Sequence, residues 1–227
     1  MKEKYVLTSG YHEQLLCNGS NVSRSKSSTR WLREHFKDEY VKRAHAGGLR
    51  SRAVFKLEEI LARDRLLKPG MRVVDLGAAP GSWSQAVRAK LGDTGQVIAL
   101  DILPIQGIHG VEFLQGDFRE PEVLLRLEAA LKGERLDLVL SDMAPNLSGI
   151  EVADQARTME LADRALDFAR RWLKPDGALL IKLFQGAGID QFICDLRRDF
   201  RRVSMRKPKA SRTRSRETYA LVRGRRA

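Results

Sequence analysis

At 227 residues, 43% of them hydrophobic, the chain is long enough for one sizeable α/β core and short for two ordinary domains. A formal net charge of +12 points to a polyanionic partner. The widely separated Cys17 and Cys194 form neither a disulfide framework nor a metal-ligand spacing, and no run approaches the roughly 18 apolar residues that a membrane span needs. A reduced, soluble, cytoplasmic protein with no membrane partner and no bound metal is therefore expected. The charge is also segregated: residues 1–60 carry +5, residues 61–196 carry −4, and residues 197–227 carry +11, from thirteen Lys and Arg against two acids. An acidic middle between basic ends suits a catalytic core whose flanks grip nucleic acid.

In chain order, residues 1–28 are polar, rich in Ser, Asn and Gly and without periodicity, and read as a disordered extension. Residues 29–227 read as a single domain. Its N-terminal part, 29–66, holds two helices. The first spans about 30–45, with Trp31, Leu32, Phe36, Tyr40 and Val41 near one face, and ends at Gly47-Gly48. Ser51 can cap the second, whose apolar stripe is Val54, Leu57, Ile60 and Leu61. Lys56 lies off the centre of that stripe, where a lysine is ordinarily solvated.

The core, 67–199, opens with a turn at Lys68-Pro69-Gly70. An apolar run from Met71 then ends in Asp75-Leu76-Gly77-Ala78-Ala79-Pro80-Gly81, ahead of a helical pattern with Trp83, Ala86, Val87 and Leu91 on its packing face. This is a buried parallel strand, a tight turn and a helix N-terminus, an arrangement that cradles nucleotide-like ligands. Gly77 lets the turn close and Gly81 leaves room for close backbone approach. It is not the dinucleotide fingerprint, because Ala79 replaces the middle glycine and Pro80 lacks the N–H a pyrophosphate would use. The turn fits a nucleoside ligand without a diphosphate, such as S-adenosylmethionine (SAM), better than NAD.

A second strand over 96–101 ends in Asp101, at the distance from Gly77 where an acid commonly accepts from ribose hydroxyls. A third, 111–115, is followed by Asp117, placed to reach an adenine amino group. A helix over 121–132 leads to a fourth strand, 136–142, ending in Asp142 ahead of Met143-Ala144-Pro145-Asn146. A loop over 147–153 and a helix over 154–173 come next, and Lys174-Pro175-Asp176-Gly177 reads as a turn. The fifth strand, 178–184, carries Lys182 inside an apolar run, a local contradiction of the kind that marks function. After a helix over about 189–198, the C-terminal part, 200–227, reads as two strands near 200–206 and 217–223 joined by the basic loop 207–216. The whole is a doubly wound, mostly parallel seven-stranded sheet, Rossmann-like, with an antiparallel strand at its edge. Asp75, Asp101, Asp117 and Asp142 share the rim where such sheets bind ligands.

Six segments together, Gly48–Leu57, Asp75–Gly81, Phe113–Phe118, Ser141–Asn146, Lys182–Gly186 and Ser215–Glu217, resemble the FtsJ/RlmE family of ribosomal RNA 2′-O-methyltransferases. The resemblance runs from about Arg30 to Arg225. It implies a class I SAM-dependent methyltransferase fold and a catalytic Lys-Asp-Lys-Glu tetrad at Lys56, Asp142, Lys182 and Glu217. It also implies SAM contacts at Gly81, Trp83, Asp101, Asp117 and Asp142, beside Asp75 and Gly77 from the turn. Ser82 stands where bacterial members usually carry another glycine, and residues 1–28 exceed the usual leader.

A ribose 2′-hydroxyl is a poor nucleophile, so it must be held and deprotonated as it attacks a methyl group in line. Lys182 is the expected proton acceptor, or else it only steers the oxygen lone pair while proximity supplies the rate. A free lysine has a pKa of about 10.4; burial and Lys56 lower it, Asp142 and Glu217 raise it. Arg50, Arg52, Arg212, Arg214 and Arg216 flank these residues in the chain and are expected to hold RNA phosphates. The implied partner is 23S rRNA in the 50S subunit, at an A-loop uridine, with the enzyme acting as a monomer. A tRNA or cap 2′-O-methyltransferase, or a non-catalytic assembly factor on the same fold, is the alternative; a nicotinamide dehydrogenase is more distant.

Overall fold

The computed structural model describes residues 38–146, 148–212 and 215–226. The extension over 1–28, the start of the first expected helix and Arg214 lie outside them.

Six helices and seven strands follow one another as α1 (Glu39–Ala46), α2 (Ala53–Asp64), β1 (Arg72–Leu76), α3 (Ser82–Leu91), β2 (Gln96–Asp101), β3 (Val111–Gln115), α4 (Pro121–Ala130), β4 (Leu136–Ser141), α5 (Glu151–Trp172), β5 (Leu173–Phe184), α6 (Ile189–Asp199), β6 (Phe200–Arg206) and β7 (Glu217–Arg225) among the described residues. The strands form one sheet in the order β3-β2-β1-β4-β5-β7-β6. Strands β3, β2, β1, β4 and β5 are parallel, and β7 runs antiparallel to both β5 and β6. β6 and β7 are the antiparallel pair expected at the sheet edge, with β7 inserted between β5 and the outermost β6. The order reverses between β1 and β4, the switch point at whose carboxyl rim open α/β sheets take their ligands.

Alternation along each strand sends residues to two apolar layers. Val74, Leu76, Val139, Leu179, Ile181 and Val222 pack under α4, α5 and α6. Val73, Leu138, Leu140, Leu180, Tyr219 and Leu221 pack under α2 and α3 through Leu57, Ile60, Leu61, Trp83, Val87 and Leu91. Continuing the second set by two residues brings Asp75 from β1, Asp142 beyond β4, Lys182 on β5 and Glu217 on β7 to the same face. Four charges in four separate strands thus share one side because the side-chain period is two.

Three elements differ from the sequence reading. Helix α1 begins at Glu39 rather than near residue 30, because Asp38 is extended and caps it, its carboxylate accepting from Tyr40 N at 3.0 Å. Lys174–Gly177 is a bulge within β5 rather than a turn before it: Leu136 pairs with Leu173 and Leu138 with Ala178, so the extra residues on β5 loop out. Fully buried Leu173 holds the early register, and Lys174 ties the bulge to Asp137 at 2.7 Å. Helix α5 starts at Glu151, inside the expected loop, because the Asp154 carboxylate accepts from the Ser148 N–H and hydroxyl and from the Gly149 N–H, folding that segment onto the helix.

Candidate active site

The β1–α3 turn is shaped by its glycines. Gly77 has φ +76° and Gly81 φ +99°, conformations that side chains with a Cβ seldom adopt. A Cβ on Gly77 would lie 2.8 Å from the backbone of Met143, so this glycine lets the ends of β1 and β4 close on each other. At Gly81 a Cβ would meet Ile108 and Ile105 at 2.9 and 3.0 Å. The open space expected there for a ligand is thus in part occupied by the β2–β3 connection.

Asp75 is fully buried, and its Oδ2 accepts from Ser84 Oγ at 2.6 Å. Burial, helped by the nearby charges of Asp142 and Asp101, pushes its carboxyl up to about 7 despite the Ser84 bond. Its Oδ1 is buried with no hydrogen-bond partner among the described residues. An orphaned acceptor at a switch point fits a ligand that brings a cationic amine. Asp101, half-withdrawn from water and raised by that burial, accepts from Ala79 N and Leu103 N, each at 2.8 Å. Its carboxylate is therefore fixed between the turn and the loop after β2. Asp117 sits on the outer rim beyond β3, held below the ordinary range by its bond to Arg119 at 2.6 Å. Trp83 is buried. Its Nε1–H donates to Ala53 O at 2.8 Å and its ring packs on Tyr219, so the indole joins α3 to α2 and β7.

The other rim residues converge. Register places Ser141 beside Ile181, so Asp142 falls next to Lys182, and Lys182 opposite Tyr219. Lys182 Nζ lies 3.1 Å from Asp142 Oδ1 and 2.6 Å from the Asp142 carbonyl oxygen. Helix α2 leans over this face, and Lys56 Nζ lies 2.6 Å from Glu217 Oε1. The side chains of Lys182, Glu217, Lys56 and Asp142 keep only 9%, 10%, 15% and 20% of their exposure, so these pairs are screened far less than surface ones. Burial alone would raise the Glu217 carboxyl, but Lys56, and more weakly Lys182, outweigh it and hold it below the usual range. The two ion pairs are one electrostatic unit with no formal net charge.

The same cluster contains a residue that the sequence reading missed. The Tyr219 hydroxyl donates to Asp142 Oδ1 at 2.9 Å, and burial, then the Asp142 and Glu217 charges, push its ionisation well above the ordinary tyrosine range. It therefore stays a donor. Only its place two residues after Glu217 in a strand, hence on the same face, could have singled it out.

The arginines do not all face outward. Arg50 donates to the carbonyl oxygens of Pro80 (3.2 Å), Gln106 (2.6 Å) and Gly107 (2.9 Å). Arg52 is buried against Asp38 and the Ala210 carbonyl. Both were expected on RNA phosphates; Arg52 is withdrawn among its partners within the protein, whereas Arg50 bonds backbone carbonyls and stays half-exposed. Arg212 lies near Asp38 at 3.9 Å, and Arg216, half-exposed, pairs with Glu151 at 2.6 Å.

Residues 49–225 match the model of the FtsJ-like methyltransferase family. A Xanthomonas oryzae protein named ribosomal RNA large subunit methyltransferase E is 63% identical over 90% of this chain and 97% of its own. A Stenotrophomonas maltophilia protein of the same name is 63% identical over 91% and 98%. Among solved structures, a Plasmodium falciparum protein described as a ribosomal RNA methyltransferase superposes with a TM-score of 0.70 at 26% identity, over 78% of this chain and 98% of that one. With a family match that takes in both ion pairs and the turn, the chain belongs to the FtsJ-like methyltransferases.

Proposed function

We propose that the protein transfers the methyl group of SAM to a ribose 2′-hydroxyl of large-subunit ribosomal RNA, at a uridine of the 23S A-loop in the 50S particle. The observation that carries this reading is Lys182 Nζ held 3.1 Å from Asp142 at the rim of β4 and β5, with the Lys56–Glu217 pair beside it. The relatives' names supply the RNA.

The turn fits SAM on three counts: the buried, unpartnered Asp75 Oδ1 for its amine, the fixed Asp101 carboxylate for its ribose, and the left-handed glycines that shape the floor. When bound, SAM supplies an electrophilic methyl on a sulfonium. The remaining work belongs to the chain. Asp142 occupies two of the three directions around Lys182 Nζ, through its carbonyl and its Oδ1. One tetrahedral position is left for the 2′-oxygen. In the neutral amine it is a lone pair that takes the proton; in the ammonium it is an N–H that orients the oxygen. Either way the nucleophile is placed rather than left to diffuse, and placement is the large term in such reactions. Lys56 keeps Glu217 ionised, and Glu217 holds the hydroxyl on the face shared with Lys182.

The test is transfer of a tritiated methyl group to purified 50S particles. Wild type labels them at a ribose 2′-oxygen, and Lys182→Ala falls by at least about 100-fold, in the range of a lost acid–base group. Particle binding by both proteins with transfer by neither would replace catalysis with a non-catalytic role in assembly.

A further inference from the structure

Arg50 occupies an unusual position for a residue ahead of the catalytic helix. It belongs to the segment between α1 and α2, six positions before Lys56, yet all its bonded partners lie in the cofactor half of the molecule. One terminal nitrogen bridges the Pro80 carbonyl in the glycine turn to the Gln106 carbonyl in the β2–β3 connection, and the other takes Gly107. Among the described residues no carboxylate pairs with it.

The same connection closes on the turn by packing. Ile105, Ile108 and Arg50 are the three atom groups that a Cβ on Gly81 would meet, at 3.0, 2.9 and 3.3 Å. Its beginning is fixed separately, by Leu103 N on Asp101 Oδ1, while Asp101 Oδ2 holds Ala79 N. Beyond that point the connection, which runs from Ile102 to Gly110 without regular structure, gives Arg50 its Gln106 and Gly107 carbonyls. Three carbonyl oxygens, two of them from successive peptides, are met by two separate nitrogens of one planar guanidinium, a fork that the single nitrogen of an ammonium does not reproduce.

We propose that Arg50 is a positioning residue for the methyl donor: it clamps the β2–β3 connection against the Ala78–Gly81 turn, and so joins the donor side of the site to the segment that carries Lys56. This rests on the assignment of SAM to that turn. Arg50 acts on the cofactor through the connection, with its terminal nitrogens committed to backbone carbonyls.

Arg50→Ala, Arg50→Lys and Ile108→Ala are compared with wild type in the full-length protein. The readouts are SAM affinity by calorimetry, KM for SAM and kcat on 50S particles, the slope of log RNA affinity against log salt, and amide exchange over 102–111. All three variants should weaken SAM binding and raise its KM by about tenfold, with kcat at saturating SAM within about threefold of wild type. Exchange over 102–111 should quicken, and the salt slope should stay unchanged. Ile108→Ala removes packing without charge and keeps the proposal testable if the arginine variants fold poorly. Full SAM affinity in Arg50→Lys, or unchanged SAM affinity with a shallower salt slope in Arg50→Ala, overturns it in favour of a phosphate contact. Failure of the wild-type protein to bind SAM would instead bring down the underlying cofactor assignment.

Discussion

Two side chains at the centre of the site behave in ways their residue types do not announce. Tyr219 is a buried aromatic in the β7 run, yet its hydroxyl is a second donor to Asp142, beside Lys182 Nζ. Tyr219→Phe keeps the ring against Trp83 and removes one bond to a charged acceptor, an interaction of about 1.5–3 kcal/mol. Single-turnover methyl transfer should slow by about tenfold or more, and the lost bond should lower the melting temperature by several degrees; an unchanged rate would reduce Tyr219 to packing. Asp75 offers a thermodynamic handle. Its folded pKa, lifted by burial to about 7, exceeds the unfolded value of about 3.9, so the folded state holds the proton more tightly. The sign follows: the proton-linked contribution is fully present below about pH 4 and is lost as pH rises through about 7. Asp75→Asn cannot ionise. In melts of the SAM-free protein from pH 5 to pH 8.5, the variant should gain on wild type with rising pH, by on the order of a few kcal/mol at the alkaline end. Parallel curves at every pH would mean the carboxylate is solvated or already paired.

At the scale of elements, most of the fold was legible because each strand carries its signature twice, as an apolar run and as the turn residues that bound it. The four acids at the strand ends were readable for the same reason, since an acid just past a buried run lies on the ligand rim. Lys182 declared itself by violating its run. What the pattern could not disclose is which neighbours a charge finds. Lys56 looked solvated because helical spacing fixes a face, whereas its partner Glu217 arrives from a strand 161 positions later in the chain. The bulge at Lys174–Gly177 uses turn residues in a place where strand pairing resumes on both sides, so local chemistry read correctly as irregular but wrongly as an end. The partners of Arg50 and Arg52 were hidden for a related reason: only tertiary packing reveals which carbonyl oxygens a basic residue meets. C-terminal strands β6 and β7 close the site from the far side, which explains why a Glu so late in the chain belongs to a rim otherwise built from β1, β4 and β5.

For the molecule as a whole, the open question is how a protein with +11 in its last 31 residues presents that charge to RNA. Several of those cations are already engaged. Lys207 donates to the Ser215 and Glu217 carbonyls, Arg206 pairs with Asp64 at 2.6 Å, and Arg223 meets the Asp64 carbonyl. The two arginines fasten the C-terminal strands to α2, Lys207 closes the loop between them, and a smaller set is left for phosphates. Arg216 is the informative member, immediately before Glu217 and paired with an exposed Glu151 at 2.6 Å. So exposed a pair contributes little to stability, about 0–1 kcal/mol, and a phosphate in the cleft can displace the carboxylate. The consequence runs against the usual effect of deleting a partner. Glu151→Gln should bind 50S rRNA about twofold to fivefold more tightly, because Arg216 is released and a repelling charge is removed. Arg216→Ala should bind more weakly and lose about 0.7–0.9 from the salt slope. In the double variant the Glu151 substitution should have little left to improve, which separates competition for Arg216 from a general change in surface potential. Filter binding across a salt series reads all four proteins. Equal affinity for wild type and Glu151→Gln, with an unchanged slope in Arg216→Ala, would place the phosphate path elsewhere on the basic end of the chain.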